Sequence, residues 1–430
     1  MKPINFPERI IWYSIIGTYA FYLIGGLYIV GSVIGWILLI YLGKKLWNQT
    51  EATPPNERIT IPLTTWIWIG GMLVMELALI LGHYNFDLDT SLLIKSSIGW
   101  AKGWALLAVF PLIGLLEIRP QLLWRAACIV CFQTLIFSPV FFLGYLLHLP
   151  EIVYVSPLKV VGGPGDEFFA FVLYEIDPSN LLPRWRLFTP WPPALGFMAN
   201  IYFFMALQET NKKWRWIGIA GSIFMCVISA SRLSLLSITV VFLLTWMLTN
   251  LARPVALIVF GFGSFITSLI TTTLFRAYED FQKKFADARP NSSRVRDTLA
   301  KIALDRWQNE APIWGHGVVE KGPHLVEYMP IGSHHSWYGL LFVKGFVGVI
   351  ALAIPMLCSF LYLLVKAQKS ETAKVGLSIL LILFMYTFGE NLEILAYLYW
   401  PGLVVMGIAF KSKAETTTIC SGMQTEVTSI

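Results

Sequence analysis

The chain reads as a succession of long apolar runs separated by short polar stretches. An apolar run of about 18 or more residues is what a helix needs to cross the hydrocarbon layer of a bilayer. Read this way, the pattern predicts twelve spans, at roughly 10–25, 28–43, 63–83, 98–116, 124–146, 193–208, 215–230, 234–250, 254–274, 336–365, 374–390 and 393–410. Gly25, Gly26 and Gly31 mark the break between the first two, since tight turns favour glycine. Two polar stretches are long, about 147–192 and 275–335. Within the second, "RPNSSRVRDTLAKIALDRWQ" opens on Pro290, with Asn291, Ser292 and Ser293 as helix-cap candidates. Arg294, Asp297, Lys301, Asp305 and Gln308 then recur at helical spacing, while Val295, Leu299 and Ile302 lie on another face. That is an amphipathic helix, expected to lie across the bundle.

The expected architecture is therefore an all-α polytopic membrane protein of about twelve transmembrane helices. Helices one to nine fall within 1–274, with an external loop at 147–192. A partly helical loop follows at 275–335, then helices ten to twelve at 336–410 and a polar, Thr-rich tail at 411–430 read as disordered.

Charge orients this parse. Lys2 and Arg9, the Lys44, Lys45 and Arg58 loop, Arg119 and Arg125, Lys212, Lys213 and Arg215, Arg253, Lys366, Lys369 and Lys374, and Lys411 and Lys413 all fall on one side. The positive-inside rule makes that side the cytoplasm, with both termini on it, and puts the two long loops outside. Composition agrees: 56% of residues are hydrophobic and 13% charged, against about 25% charged in a soluble domain. The net charge of +6 is thus a matter of topology and does not point to nucleic acid. Cys128 and Cys131 form a CxxC inside an apolar run, where buried packing is expected instead of a redox or zinc site. The opening "MKPINFPERI" has no cleavage signature, so no signal peptide is expected.

Candidate chemistry collects on the outer face. "ISASRLSLL" puts Arg232 in a short external turn, against the orientation rule; it is either a snorkelling arginine or an anion ligand. Arg294 and Arg296 stand near the start of the loop helix, where backbone N–H groups also favour anions. His334 and His335, in "YMPIGSHHSWYGLLFVKGFVG", sit at the loop–membrane junction. Glu390 and Glu393 flank the last external turn, where carboxylates need partners. His316, in "IWGHG", reads as structural. Arginines with bases at a membrane surface suit a lipid-linked phosphate or diphosphate. The arginines would stabilise charge on a leaving phosphate, and a histidine or glutamate would take a proton from a hydroxyl. No DxD, HExxH or Walker pattern occurs in a credible context, so neither a metal nor another cofactor is expected.

Four segments resemble the O-antigen ligase and polymerase superfamily of bacterial inner-membrane proteins. "RWRLFTPWPPALG" is similar to the family's Arg-x-x-Gly-x-Phe-x-x-Pro-Asn segment, with Leu187 in the glycine's place and an altered Pro-Asn. "SASRLSLL" resembles its Ser-Arg-Gly turn, with Leu233 for the glycine. "SSRVRDTLAKIALDRWQNEAPIWGHG" resembles its Arg…Pro-x-x-Gly-x-Gly segment, and "GSHHSWYGLLFVKGFVG" its His-Asn-x-x-Leu…Gly-x-x-Gly junction. By the spacing to Gly345, His334 takes the family's catalytic-histidine place and His335 that of its asparagine.

The resemblance implies a GT-C-like bundle and a metal-independent inverting glycosyltransferase. Its donor would be an undecaprenyl-diphosphate-linked glycan; its acceptor, a hydroxyl on lipid A core, a second glycan or a protein. Arg232 and Arg294 would clamp the diphosphate, with Arg186 and Arg296 as further donor contacts. The base would be His334 or Glu393, with His335 and Glu390 as secondary candidates. Two other readings stand beside this one. A small-anion (inorganic carbon) transporter would want charges or broken helices near the midplane, where Lys344 is the main internal charge, free to snorkel or to pair with a glutamate. A non-catalytic scaffold for glycan assembly is the third.

Overall fold

The computed structural model describes residues 1–54, 58–177, 181–250, 253–269, 271, 276 and 290–411. The expected tail, most of 270–289 and the cap side chains Asn291, Ser292 and Ser293 lie outside the described residues. The fold is all-α. Its helices are α1 (Phe6–Ile16), α2 (Thr18–Leu23), α3 (Leu27–Trp47), α4 (Leu63–Asn85), α5 (Thr90–Lys102), α6 (Leu106–Ile113), α7 (Pro120–Leu146), α8 (Pro192–Leu207), α9 (Lys212–Ile228), α10 (Arg232–Thr249), α11 (Pro254–Leu269), α12 (Pro290–Glu310), α13 (Ser336–Lys366), α14 (Glu371–Tyr386) and α15 (Leu392–Lys411). Among the described residues, seven segments are long and apolar enough to cross a membrane: α3, α4, α5 with α6, α7, α10, α13 and α15. The 147–192 loop holds the strands β1 (Ile152–Val155), β2 (Ala170–Val172), β3 (Glu175–Ile176) and β4 (Pro183–Arg184), paired as two antiparallel hairpins.

Three expected spans are built differently from the single helices the apolar pattern suggested: the first, the fourth and the tenth, the last interrupted at Gly345. The first is split at Gly17 into α1 and α2, with the next turn at Gly25 (φ +68°), where a Cβ would press on Ser156 and the Phe169 carbonyl. The fourth begins earlier, at Thr90, and is broken at Gly103–Trp104 between α5 and α6. Carbonyls freed at that break are met from α3: Trp36 donates its Nε1–H to Ala101 O at 3.2 Å, and Ser32 donates to Lys102 O at 3.4 Å. Inside hydrocarbon, such groups must find protein partners, which is why breaks occur only where a neighbouring helix covers them.

Helix α15 is buried on all sides, as a helix apolar around its whole circumference should be. Small residues bring its neighbours close. A Cβ on Gly407 would run into the Pro111 carbonyl of α6, and one on Gly71 of α4 into Ala351 of α13. Trp68 of α4 also donates to Ser359 of α13 at 2.8 Å. The basic residues expected on one side do gather at one end of the bundle. Arg119 pairs with the fully buried Glu8 at 2.7 Å, Arg125 with Glu209 at 2.8 Å, and Lys411 donates to Leu115 O at 3.0 Å.

Helix α12 has the amphipathic register its sequence predicts. Val295, Leu299 and Ala303 are buried against Val326, Ile331 and Phe342, while Arg294, Arg296 and Asp297 are exposed. Below it, α13 is interrupted at Gly345 (φ +62°, ψ −162°). The segment after α12 fills the gap. His316 N and Gly317 N donate to Phe342 O and Val343 O, each at 2.9 Å; Phe346 N and Val347 N donate to Pro312 O and Ile313 O at 3.0 and 3.2 Å. His316 completes the clasp. Its ring is stacked between Phe86 and Phe342, Nδ1 lies 2.9 Å from Phe342 O, and Nε2 lies 2.8 Å from Glu310.

Candidate functional site

Four chain segments converge at the bundle end from which α13 starts. His335 caps α13: its Nδ1 accepts from Tyr338 N at 3.4 Å, and its ring stacks on Tyr338 and meets Phe388 edge-on. Ser336 locks this start to the turn between α14 and α15. It donates through N to Thr387 O at 2.9 Å and through Oγ to Glu390 O at 2.7 Å, and its Oγ accepts from Leu392 N at 3.0 Å. Trp337 adds an Nε1–H bond to Thr387 Oγ1 at 2.9 Å. The hairpin between α9 and α10 lies on the same turn: Leu233 fills the space a Cβ on Gly389 would need. The hairpin is in turn tied to the 184–196 segment, with Trp185 N donating to Ile228 O at 3.2 Å and Ser234 Oγ to Gly196 O at 3.2 Å.

Arg232, the first residue of α10, immediately precedes the Leu233 that packs on this turn. Glu390 is 3% exposed and accepts from Trp191 Nε1 at 2.9 Å. Burial pushes its carboxyl up to about 7, against the pull of the Arg296 charge and the Trp191 bond. His334 is half-buried at the foot of α12, its Nε2 facing the Met329 thioether at 3.3 Å, a weak partner. Burial first, and the Arg296 guanidinium second, push His334 down to about 4; burial alone does the same to His335. Both rings are therefore neutral at pH 7, the state in which imidazole accepts a proton.

The eight residues singled out in the sequence separate in this geometry. Arg296 acts electrostatically on both His334 and Glu390. Arg294 is exposed one step away on α12. Arg186 is 6% exposed and turned to backbone: it donates to Pro190 O and, at 3.4 Å, to Ala170 O, shaping the loop that presents Trp191. Its Nε is buried without a hydrogen-bond partner. Glu393 lies in the first turn of α15, 4.0 Å from Lys344, so the internal lysine pairs instead of snorkelling. Trp191 and Ser336 had no signal in the sequence reading, because only the fold brings them to Glu390. No group of three or more metal-ligating side chains occurs among the described residues.

Residues 217–353 match the family model described as O-antigen ligase. The matched stretch contains Arg232, Arg294, Arg296, His334 and His335, and stops short of Arg186 and the two glutamates. No curated protein sequence matches the chain. A domain of this family implies glycosyl transfer from a lipid-linked glycan in a membrane. The likeness to the O-antigen ligase family thus rests on residues 217–353, less than half of the chain.

Proposed function

We propose that this protein is a metal-independent inverting glycosyltransferase that moves a glycan from undecaprenyl diphosphate to a hydroxyl acceptor at the periplasmic face of the bacterial inner membrane. The observation that carries the reading is His334, a half-buried ring at the loop–membrane junction whose Nε2 meets only the weak Met329 thioether at 3.3 Å, within reach of the Arg296 charge. His334 takes the acceptor's hydroxyl proton as the new O–C1 bond forms on the face opposite the diphosphate. The C1–O bond to phosphate breaks, the configuration at C1 inverts, and undecaprenyl diphosphate leaves. Arg232 and Arg296 neutralise the charge that grows on the leaving phosphate, with Arg294 as an outer donor contact and Arg186 holding the loop that presents Trp191. Bound diphosphate also offsets the Arg296 charge felt by His334, so the base strengthens when the donor is in place. Glu390 is the carboxylate in this electrostatic environment, while Glu393 is engaged by Lys344.

The test follows glycan movement and undecaprenyl diphosphate release by purified protein in nanodiscs with EDTA present. Wild type transfers glycan to lipid A core (ligase) or to a second donor lipid (polymerase), and His334→Ala and Arg232→Ala do not. Full transfer by His334→Ala would remove the proposed base. Small-anion transport is the second reading, favoured by a buried lysine–carboxylate pair beside a helix broken inside the bundle. Protein-dependent bicarbonate uptake by vesicles, with no glycan transfer, would put it first.

A further inference from the structure

At the end of the bundle opposite His334, a cavity of about 310 Å³ opens between the last turn of α3, the chain that follows it and the turn joining α6 to α7. Tyr41, Lys44, Lys45, Asn48 and Glu117 line it. Lys411 lies close enough that Lys45 and Glu117 both act on its charge. Two lysines therefore face one glutamate across the cavity. Lys45 reaches Glu117 at 3.7 Å and Lys411 donates to Leu115 O at 3.0 Å, whereas Lys44 has no ion-pair partner among the described residues. Lysines in a helix's last turn complement its dipole. That effect accounts for the position of Lys44 and Lys45, but not for a cavity between them and the turn that carries Glu117. The outer surface of α3 leading to the cavity is apolar and bare, with Ile40 72% exposed and Trp47 90% exposed. A net positive polar pocket at the rim of an apolar helix face matches one chemistry in both halves: a phosphate with acyl chains attached.

We propose that this cavity binds the headgroup of an anionic phospholipid, with Lys44 and Lys45 on the phosphate, Asn48 on the headgroup hydroxyls and the acyl chains along Ile40 of α3. The proposal is independent of the chemistry at His334.

Native mass spectrometry of the full chain, titrated with phosphatidylglycerol or phosphatidylcholine, tests it. Wild type is expected to hold one phosphatidylglycerol about tenfold more tightly than phosphatidylcholine. The paired substitution Lys44→Gln, Lys45→Gln is expected to abolish that preference. Lys212→Gln with Lys213→Gln, an equal charge removal from exposed residues at the same end, is expected to keep it. Equal retention of both lipids by wild type, or an intact preference in the Lys44/Lys45 variant, would overturn the site. Displacement of the lipid by millimolar inorganic phosphate would overturn the lipid as its ligand, leaving a site for soluble phosphate.

Discussion

Gly345 is the residue on which the placement of His334 turns, and replacing it with alanine has a cost that can be worked out. At φ +62° and ψ −162° it occupies backbone space that is nearly closed to other residues. An alanine held there costs about 1–3 kcal/mol. Its Cβ would also run into the Ile313 carbonyl and stand 2.6 Å from Gly315 N, both backbone atoms that cannot swing aside. The chain's escape is to straighten α13. In a regular helix Phe346 N and Val347 N would bond to Phe342 O and Val343 O, so four bonds to the 312–317 segment would be exchanged for two. At about 1 kcal/mol net for each bond lost, that route costs about 2 kcal/mol, and more once the stranded groups of 312–317 stay dry. Both routes arrive at about 2–4 kcal/mol. Thermal unfolding in detergent should therefore show Gly345→Ala melting several degrees below wild type. Gly43→Ala is the matched control, in α3 with open space around its Cβ; there alanine should be neutral or gain up to about 1 kcal/mol. If Gly345→Ala melts with Gly43→Ala, the broken helix and its clasp are wrong.

Three further outcomes follow from the same geometry. Trp191→Phe removes the 2.9 Å donor that favours ionised Glu390, so the Glu390 limb of the pH–rate profile should move about one unit alkaline from about 7; an unmoved limb would detach Glu390 from activity. His334 and His335 are lowered from 6.5 to about 4, so the unfolded chain binds protons first on acidification. The stability they contribute is complete above pH 6.5 and is lost as pH falls through 4. Chemical denaturation from pH 7 to 4 should show that loss in wild type and a smaller one in the double glutamine variant; equal losses would contradict it. Glu393→Gln alone should destabilise by about 3–5 kcal/mol, since it leaves the buried Lys344 uncompensated, and Lys344→Met by less, since Glu393 is partly exposed. The double variant should recover most of this, and strictly additive losses would mean the two do not interact.

Much of this protein is local, and what is local was legible. Apolar run length fixed a polytopic helical bundle, since crossing hydrocarbon demands a helix whatever its neighbours are. The helical spacing of Val295, Leu299 and Ile302 marked the apolar face of α12, on which Val295 and Leu299 are buried and Ile302 partly so. The alternation of lysine- and arginine-bearing loops put those residues at one end, where Arg119 and Arg125 are found tied to Glu8 and Glu209. The motifs around Arg232 and His334 pointed to the family that residues 217–353 match.

Tertiary contacts decided the rest. An apolar run looks the same whether its helix is whole or broken, so the interruptions at Gly17, Gly103 and Gly345 appear only when a neighbouring segment supplies the missing hydrogen bonds. Of two glutamates three residues apart, the sequence put Glu393 forward as a base and Glu390 second. Glu393 is drawn to Lys344, whereas Glu390 meets Trp191, about 200 positions earlier, under the charge of Arg296. The resemblance gave Arg294 the clamp and Arg296 a further contact; with α12 docked on Phe342 and Val326, it is the Arg296 charge that reaches His334 and Glu390. Sequence determines which groups a segment carries and which face it buries. Which of those groups meet is set by packing, because charge and hydrogen bonding act over a few ångströms of space regardless of separation along the chain.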